Sequence, residues 1–387
     1  MAQLPKWWKP GWQKARLLIN SFYDAEHKGL RIFYFCKMII MKKMFFLLAV
    51  ICIAACNNEN KNGPVTVANK DSLYQEVQTG GIKVISIETP KGKFNVWTKR
   101  MGNNPKIKVL LLNGGPGATH EYFECFESFL PQEGIEFIYY DQLGCGNSDN
   151  PKDTSMWDLA RYVEEVEQVR KALNLTKDNF YLLGHSWGGI LAMQYALKYQ
   201  AHLKGLIISN MMSSAPDYGK YAEDVLAPQF DPKILDTIRQ IEKARDFGNP
   251  KYMELLLPHF YTKHILRFPL EQWPEPVNRS FAKMNQSLYV TMQGPSEFGI
   301  GGNLVNWDVK AELPKIKTPT LTIGGKHDTM DPEHMKWMST QVQNGRFLYC
   351  ENGSHMDMYD DQKNYFPGLI RFIKDVDDGT FKAEKEK

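Results

Sequence analysis

Gly184-His185-Ser186-Trp187-Gly188 lies near the middle of the chain and carries a serine between two closely spaced glycines. It follows residues 179–183 (NFYLL), a short apolar and aromatic run of the kind that forms a buried strand. It precedes residues 188–199, whose apolar spacing is helical. A G-x-S-x-G segment between a strand and a helix makes a strained turn, and only small residues fit two positions either side of the serine. The turn presents the hydroxyl at the carboxyl end of the sheet, beside a helix start that favours negative charge. Ser186 is therefore the candidate nucleophile.

Working outward, the chain alternates short β-like runs with helical stretches, which predicts an α/β fold with a mostly parallel sheet flanked by helices. Residues 82–88 and 94–100 read as an opening hairpin across Thr89-Pro90-Lys91-Gly92. Residues 108–112 (KVLLL), 136–140 (EFIYY) and 203–209 read as buried strands, and residues 157–173 as a helix. From 214 to 302 the pattern becomes helical, aromatic and Met-rich with no buried strand, which predicts an inserted helical cap domain. The core resumes over 303–378 with strands at 320–323 and 346–350 and a closing helix at 365–376, so its first part spans 76–213.

A serine hydroxyl needs a base to take its proton, and the base needs an orienting carboxylate. Behind a strand–turn–helix serine the partners follow in the order acid, then histidine. Strand 320–323 runs into Gly324-Gly325-Lys326-His327-Asp328, and strand 346–350 into Glu351-Asn352-Gly353-Ser354-His355. Both segments open at strand carboxyl ends, where the crevice of an open α/β sheet lies. Asp328 is assigned as the acid and His355 as the base, with Asp331, His327 and His334 as competitors. Asn113-Gly114-Gly115-Pro116-Gly117 follows strand 108–112, and glycines there let the backbone approach a substrate closely. The N–H groups of Gly115 and Trp187 are the expected oxyanion donors, with Gly114 expected against the substrate. A tight Gly-Pro turn without function is the alternative reading of the loop.

These residues carry a resemblance. Asn113 to Gly117, with Ala118-Thr119-His120-Glu121-Tyr122, resembles the HGGPG loop of the proline iminopeptidases. Tyr140-Asp141-Gln142-Leu143-Gly144-Cys145-Gly146-Asn147-Ser148-Asp149 resembles that family's D-Q-x-G-x-G-x-S segment, and residues 184–189 and 324–332 are similar to its nucleophile and acid segments. The likeness runs over about residues 84–372 and extends to the tricorn-interacting aminopeptidase. It implies the α/β-hydrolase fold with a cap, and a serine exopeptidase that removes an N-terminal residue, often proline, from short peptides with a free N-terminus. It implies no metal and no organic cofactor. In the tricorn-interacting relative a cap glutamate in a G-P-x-E-F segment holds the substrate ammonium. Gly294-Pro295-Ser296-Glu297-Phe298 matches that segment, so the resemblance gives Glu297 this role. Two positions depart from the pattern. Asn113 stands where the family usually has His, and Thr329 follows Asp328 where a second acidic residue for the amine is expected. Broader aminopeptidase or amidase activity is compatible with that change. A cap-bearing carboxylesterase, or a surface-binding lipoprotein that kept the fold without catalysis, are the rival readings.

The chain has 387 residues, a formal net charge of +3 and 43% apolar residues, so it has material for a substantial core. It carries no electrostatic footprint for nucleic acid. None of its six cysteines (Cys36, Cys52, Cys56, Cys125, Cys145, Cys350) pairs at zinc-ligand spacing. Cys125 and Cys350 read as small buried apolar residues. Met41-Lys42-Lys43-Met44 opens a basic region, followed by an apolar run, FFLLAVICIAA, of about eleven residues. That run is far short of the ~20 a membrane span needs and reads as a signal peptide over 41–56. Cys56, directly after Ile53-Ala54-Ala55, resembles a bacterial lipobox cysteine, which implies lipidation there and an envelope protein held on the membrane by that anchor. A plain signal peptide with an incidental Cys is the alternative. Residues 57–75 read as a polar tether, and residues 1–40 as an over-extended reading frame ahead of a start at Met41.

Overall fold

The structure, a computed structural model, describes residues 79–384. The expectations for the over-extended start, the signal segment, Cys56 and the tether fall on residues 1–75 and lie outside the described residues. Chain contacts divide the molecule into two compact units, and the sheet and the site described below lie in the one formed by Asp71–Phe247 and Tyr252–Lys387.

Eight strands form one sheet: β1 (Ile82–Thr89), β2 (Gly92–Met101), β3 (Lys108–Leu112), β4 (Glu136–Asp141), β5 (Phe180–His185), β6 (Gly205–Ser209), β7 (Thr320–Gly325) and β8 (Gly345–Cys350). Their order across the sheet is β1-β2-β4-β3-β5-β6-β7-β8. β1 pairs with β2, and β2 with β4, antiparallel; every later pair is parallel. The burial patterns follow from this topology. β1 at the edge alternates, leaving Ile82 and Val84 exposed, whereas β4, β5, β6 and β7 are buried throughout. A parallel strand covered by helices on both faces must be apolar on both. Successive residues of β3 enter different core clusters: Leu110 and Leu112 one, Val109 and Leu111 the other.

The helices are α1 (Leu159–Ala172), α2 (Trp187–Tyr199), α3 (Ala215–Tyr221), α4 (Pro232–Lys243), α5 (Pro250–Leu256), α6 (Glu275–Ala282), α7 (Gln286–Met292), α8 (Pro332–Gln341), α9 (Asp357–Asp360) and α10 (Gln362–Asp377). α1 starts where Asp158 caps it, its side chain accepting from Arg161 N–H. α2 is buried nearly all round against the sheet. Between β6 and β7 the described chain is helical, with α3 to α7 and two π-helical turns, and pairs only through an isolated bridge from Ser214 to Asp308. No helix among the described residues is long and apolar enough to cross a membrane.

The chain leaves β3 for β4 on one side and β5 for β6 on the other. The crevice beyond β3 and β5 is thus a topological switch point, the place where open α/β sheets hold ligands. The loop after β3 begins at Asn113, and the turn after β5 is Ser186.

Candidate active site

Ser186 sits at φ 56° and ψ −126°, outside the ordinary regions for an L-residue, and its N–H is tied to Ser209 O at 3.0 Å. The glycines around it are sterically required. A Cβ on Gly184 would overlap the Gly188 carbonyl, and one on Gly188 would overlap the Leu112 carbonyl at the end of β3. The elbow therefore presses α2 onto the neighbouring strand. Gly188→Ala is expected to cost about 3 kcal/mol through this overlap, read as a thermal midpoint lower by several degrees or as loss of soluble protein. An unchanged midpoint would contradict it.

His355 Nδ1 lies 2.8 Å from Asp328 Oδ1, and both residues are buried. A carboxylate can only accept, so Nδ1 carries the proton and Nε2 is left as the acceptor. Nε2 has no partner among the described residues, and His355 and Ser186 line the same cavity. Burial alone would lower the imidazole pKa, but the charge and hydrogen bond of Asp328 outweigh it and hold it above the ordinary value. Asp328 is itself held by Met330 N–H at 3.1 Å and Asn210 Nδ2 at 2.8 Å. The competitors lie in other roles. Asp331 caps α8 through Glu333 N–H, His334 Nε2 meets Ser213 Oγ at 2.9 Å, and His327, which does not line the cavity, donates its N–H to Gly353 O at 2.9 Å.

Gly115 adopts φ +106°, and neither its N–H nor that of Trp187 has a hydrogen-bond partner among the described residues. Gly114 packs on the nucleophile, where a Cβ would come within 2.9 Å of Ser186 Cβ. The cavity over Ser186 is walled by Gly114, Gly115, Tyr122, Ile265, Phe281, Met284 and Met356, and Glu297 enters it from the cap. Tyr289 O–H donates to Glu297 Oε1 at 2.6 Å, and among the described residues no cation pairs with this buried carboxylate. Burial pushes its pKa up, opposed by His355 and by the Tyr289 hydrogen bond. Such a group is short of a positive partner.

A sequence profile described as the α/β hydrolase fold matches residues 108–362. A proline iminopeptidase of Flavobacterium johnsoniae is 60% identical over 295 residues, which cover 76% of this chain and 99% of that one. A proline iminopeptidase of Saccharolobus solfataricus is 39% identical over 69% of this chain and 85% of its own. The chain belongs to the proline iminopeptidase family of α/β hydrolases. Among solved structures, the proline iminopeptidase of Mycobacterium smegmatis superposes with a TM-score of 0.68 at 27% identity, covering 77% of this chain and 99% of that one. VinJ gives 0.70 at 28% identity over 76% and 99%.

Both departures from the family's sequence pattern have a structural account. Asn113 is buried, donates from Nδ2 to Ala118 O, and receives Gln142 Nε2 at 3.2 Å on Oδ1 and 3.1 Å on its carbonyl. Gln142 Oε1 in turn accepts Trp187 Nε1 at 2.8 Å. One side-chain network thus ties the loop bearing Gly115 to the helix start bearing Trp187 N–H. Thr329 is buried against the acid–base pair, with Oγ1 3.2 Å from His355 Nδ1 and 3.3 Å from Asp328 Oδ1. It does not line the cavity, whereas Glu297 does.

Sequence reasoning missed a second buried histidine chain. His185 Nε2 lies 2.7 Å from the His355 carbonyl, which can only accept, so Nε2 carries the proton. Nδ1 then accepts from Tyr122 O–H at 3.1 Å, and the Tyr122 oxygen accepts Gly114 N–H at 2.7 Å. Burial, with the nearby His355, lowers the His185 pKa to about 3, so the ring stays neutral and this one tautomer persists. The chain joins the loops after β3, β5 and β8. Its only sequence signal was the position of His185 beside the nucleophile.

Proposed function

We infer that this chain is a serine exopeptidase that releases N-terminal residues, proline among them, from short peptides. The observation that carries the reading is Glu297: a buried carboxylate with no cationic partner among the described residues, in the same cavity as Ser186 and His355. A peptide's α-ammonium supplies the missing charge, and a charge-assisted hydrogen bond in a desolvated site is strong. With the amine fixed at Glu297, the first peptide carbonyl is the one placed at Ser186.

In the reaction His355 Nε2 takes the Ser186 proton as Oγ bonds to that carbonyl carbon. Gly115 and Trp187 N–H hold the oxyanion, and Asp328 steadies the imidazolium. His355 then gives its proton to the leaving amine, the C–N bond breaks, and an acyl-enzyme remains. Water, deprotonated by His355, attacks the ester. Collapse returns the proton to Ser186 and frees the amino acid. The apolar walls at Ile265, Phe281, Met284 and Met356 suit an apolar ring or small side chain. A panel of aminoacyl-naphthylamides, proline included, with N-acetylated controls tests the reading. Free amines should be cleaved and blocked ones not, and equal cleavage of the two would refute it.

The pH profile follows from the same groups. His355 acts as base only when neutral, and Asp328 raises its pKa, so kcat/KM falls on acidification through a midpoint above the ordinary ~6.5 of imidazole. Glu297 must be ionised to hold an ammonium, and burial raises its pKa too, so both groups move the acid limb upward. A limb centred below pH 6 would contradict the assignment.

The N-terminal residues support an extracytoplasmic location, through Met41-Lys42-Lys43, the apolar run and Cys56. In this reading Cys56 bears the lipid that holds the enzyme on the cell envelope. Labelling with a radioactive fatty acid in a bacterial host should depend on Cys56, and labelling unaffected by Cys56→Ala would reject the anchor.

A further inference from the structure

The carboxylate that meets the substrate amine and the loop that meets the oxyanion are joined through one turn of a cap helix. α7 begins at Asn285, whose Oδ1 accepts Leu288 N–H at 3.2 Å as its N-cap. The Asn285 N–H donates to Gly117 O at 3.0 Å, and its Nδ2 donates to Gly144 O at 2.9 Å and to Asn150 Oδ1 at 3.2 Å. Gly117, at φ +101°, is in backbone contact with the helix start, since a Cβ there would lie 2.9 Å from Asn285 O. Gly115 packs on the same loop, where a Cβ would lie 2.7 Å from Gly117 N. One turn along α7, Tyr289 N–H donates to Asn285 O at 2.9 Å and the Tyr289 hydroxyl holds Glu297. Glu297, Tyr289, Asn285, Gly117 and Gly115 thus form an unbroken series of contacts. On the loop's other side, Ser280 of α6 donates to Thr119 O at 3.1 Å and accepts Thr119 N–H at 3.2 Å. The cap therefore grips the oxyanion loop at two points.

We propose that Asn285 is a positioning residue that couples recognition of the substrate ammonium at Glu297 to alignment of the Gly115 N–H, so that a free amine raises kcat as well as lowering KM. The proposal rests on the exopeptidase reading above. An ammonium paired with Glu297 changes what Tyr289 holds, and α7, seven residues long, links that hydroxyl to Gly117 by consecutive hydrogen bonds. Binding energy from a non-reacting part of the substrate is thereby used at the reacting carbonyl. Complete loss of an oxyanion donor costs ~10²–10³ in rate. Couplings between sites are typically 5- to 150-fold, so misalignment of one donor is expected at about tenfold.

The test compares kcat for an aminoacyl-naphthylamide and its desamino analogue, in wild type, Asn285→Ser, Glu297→Gln and the double variant. Serine keeps an N-capping oxygen and the backbone bonds to Gly117 and Tyr289, but loses the amide that anchors the helix start to Gly144 and Asn150, so it loosens the link by freeing that start. Asn285→Ala serves as the variant without a cap, and thermal midpoints establish that each protein is folded. In wild type the desamino analogue should show a kcat about tenfold lower together with a higher KM. Asn285→Ser should lower kcat for the amine substrate toward the desamino value, by several-fold more than it lowers kcat for the desamino analogue. The double variant should be no slower than Glu297→Gln alone, the non-additivity that marks coupled residues. Equal losses for both substrates would show a purely structural role and overturn the coupling, as would losses that multiply. An amine effect confined to KM in wild type would overturn it too, with the exopeptidase reading intact. Equal kcat/KM for the amine and desamino substrates would instead overturn that reading.

Discussion

Ser186→Ala should lower kcat by roughly 10⁴–10⁶-fold and abolish labelling by a fluorophosphonate probe, with the thermal midpoint nearly unchanged. The size follows from the chemistry: without Oγ no acyl-enzyme forms, and only the oxyanion donors and substrate positioning remain to accelerate direct attack by water. The small stability change follows from the site. The strain at Ser186 is set by the backbone overlaps that Gly184 and Gly188 avoid, not by the hydroxyl. His355→Ala should be similarly damaging, and combining the two should cost little more than either alone, because nucleophile and base act as a unit. A Ser186→Ala protein that kept a tenth of wild-type activity would remove Ser186 from the mechanism and the proposed acyl-enzyme with it.

Glu297→Gln should cost about 2–4 kcal/mol on substrates with a free N-terminus, roughly 30- to 1,000-fold in kcat/KM. The neutral amide keeps the shape of the side chain and can still accept from Tyr289, but leaves the ammonium buried without its counter-charge. Small uncharged esters, which need no ammonium site, should lose little. This contrast separates an exopeptidase from a cap-bearing esterase with the same Ser-His-Asp set. A Glu297→Gln protein that cleaved free and blocked substrates as wild type does would assign amine recognition elsewhere. Titration of the wild type gives a second check, because burial has already raised the Glu297 pKa and the amide variant should lose that contribution to the acid limb.

Much of this architecture was legible because its constraints are local. The alternation of β5, elbow and α2 follows from apolar runs of strand length, helical periodicity and glycines where a Cβ would strike a backbone carbonyl. Asp328 and His355 were readable from a positional rule, since both follow the carboxyl ends of parallel strands. Strand β6 starts at Gly205 rather than 203, because residues before it still turn out of a short 3₁₀ segment, Gln200–His202. Such ends depend on where the neighbouring strand begins, which spacing does not encode.

Residues whose roles are relational were not legible. Thr329 read as a missing acid, yet it is packed on His355 and Asp328, because the β7 loop turns its side chain inward. Asn113 read as a departure from a histidine, and only folding shows it locked to Gln142 and Ala118. Asn210 and Asn285 carried no motif, and Tyr122, though in the quoted loop segment, carried no sign of its bond to His185, since these contacts span 63 or more positions. Turn sterics and apolar periodicity act over a few residues, so the nucleophile turn, the order of the catalytic candidates and the capped α/β plan were all readable along the chain. Folding settles which histidine meets Asp328, that Glu297 is buried in the cavity over Ser186 with no cation paired to it among the described residues, and that the cap grips the loop bearing Gly115. Those facts depend on contacts between segments far apart in the chain, and burial, which sets the charge state of each group, exists only once they have packed.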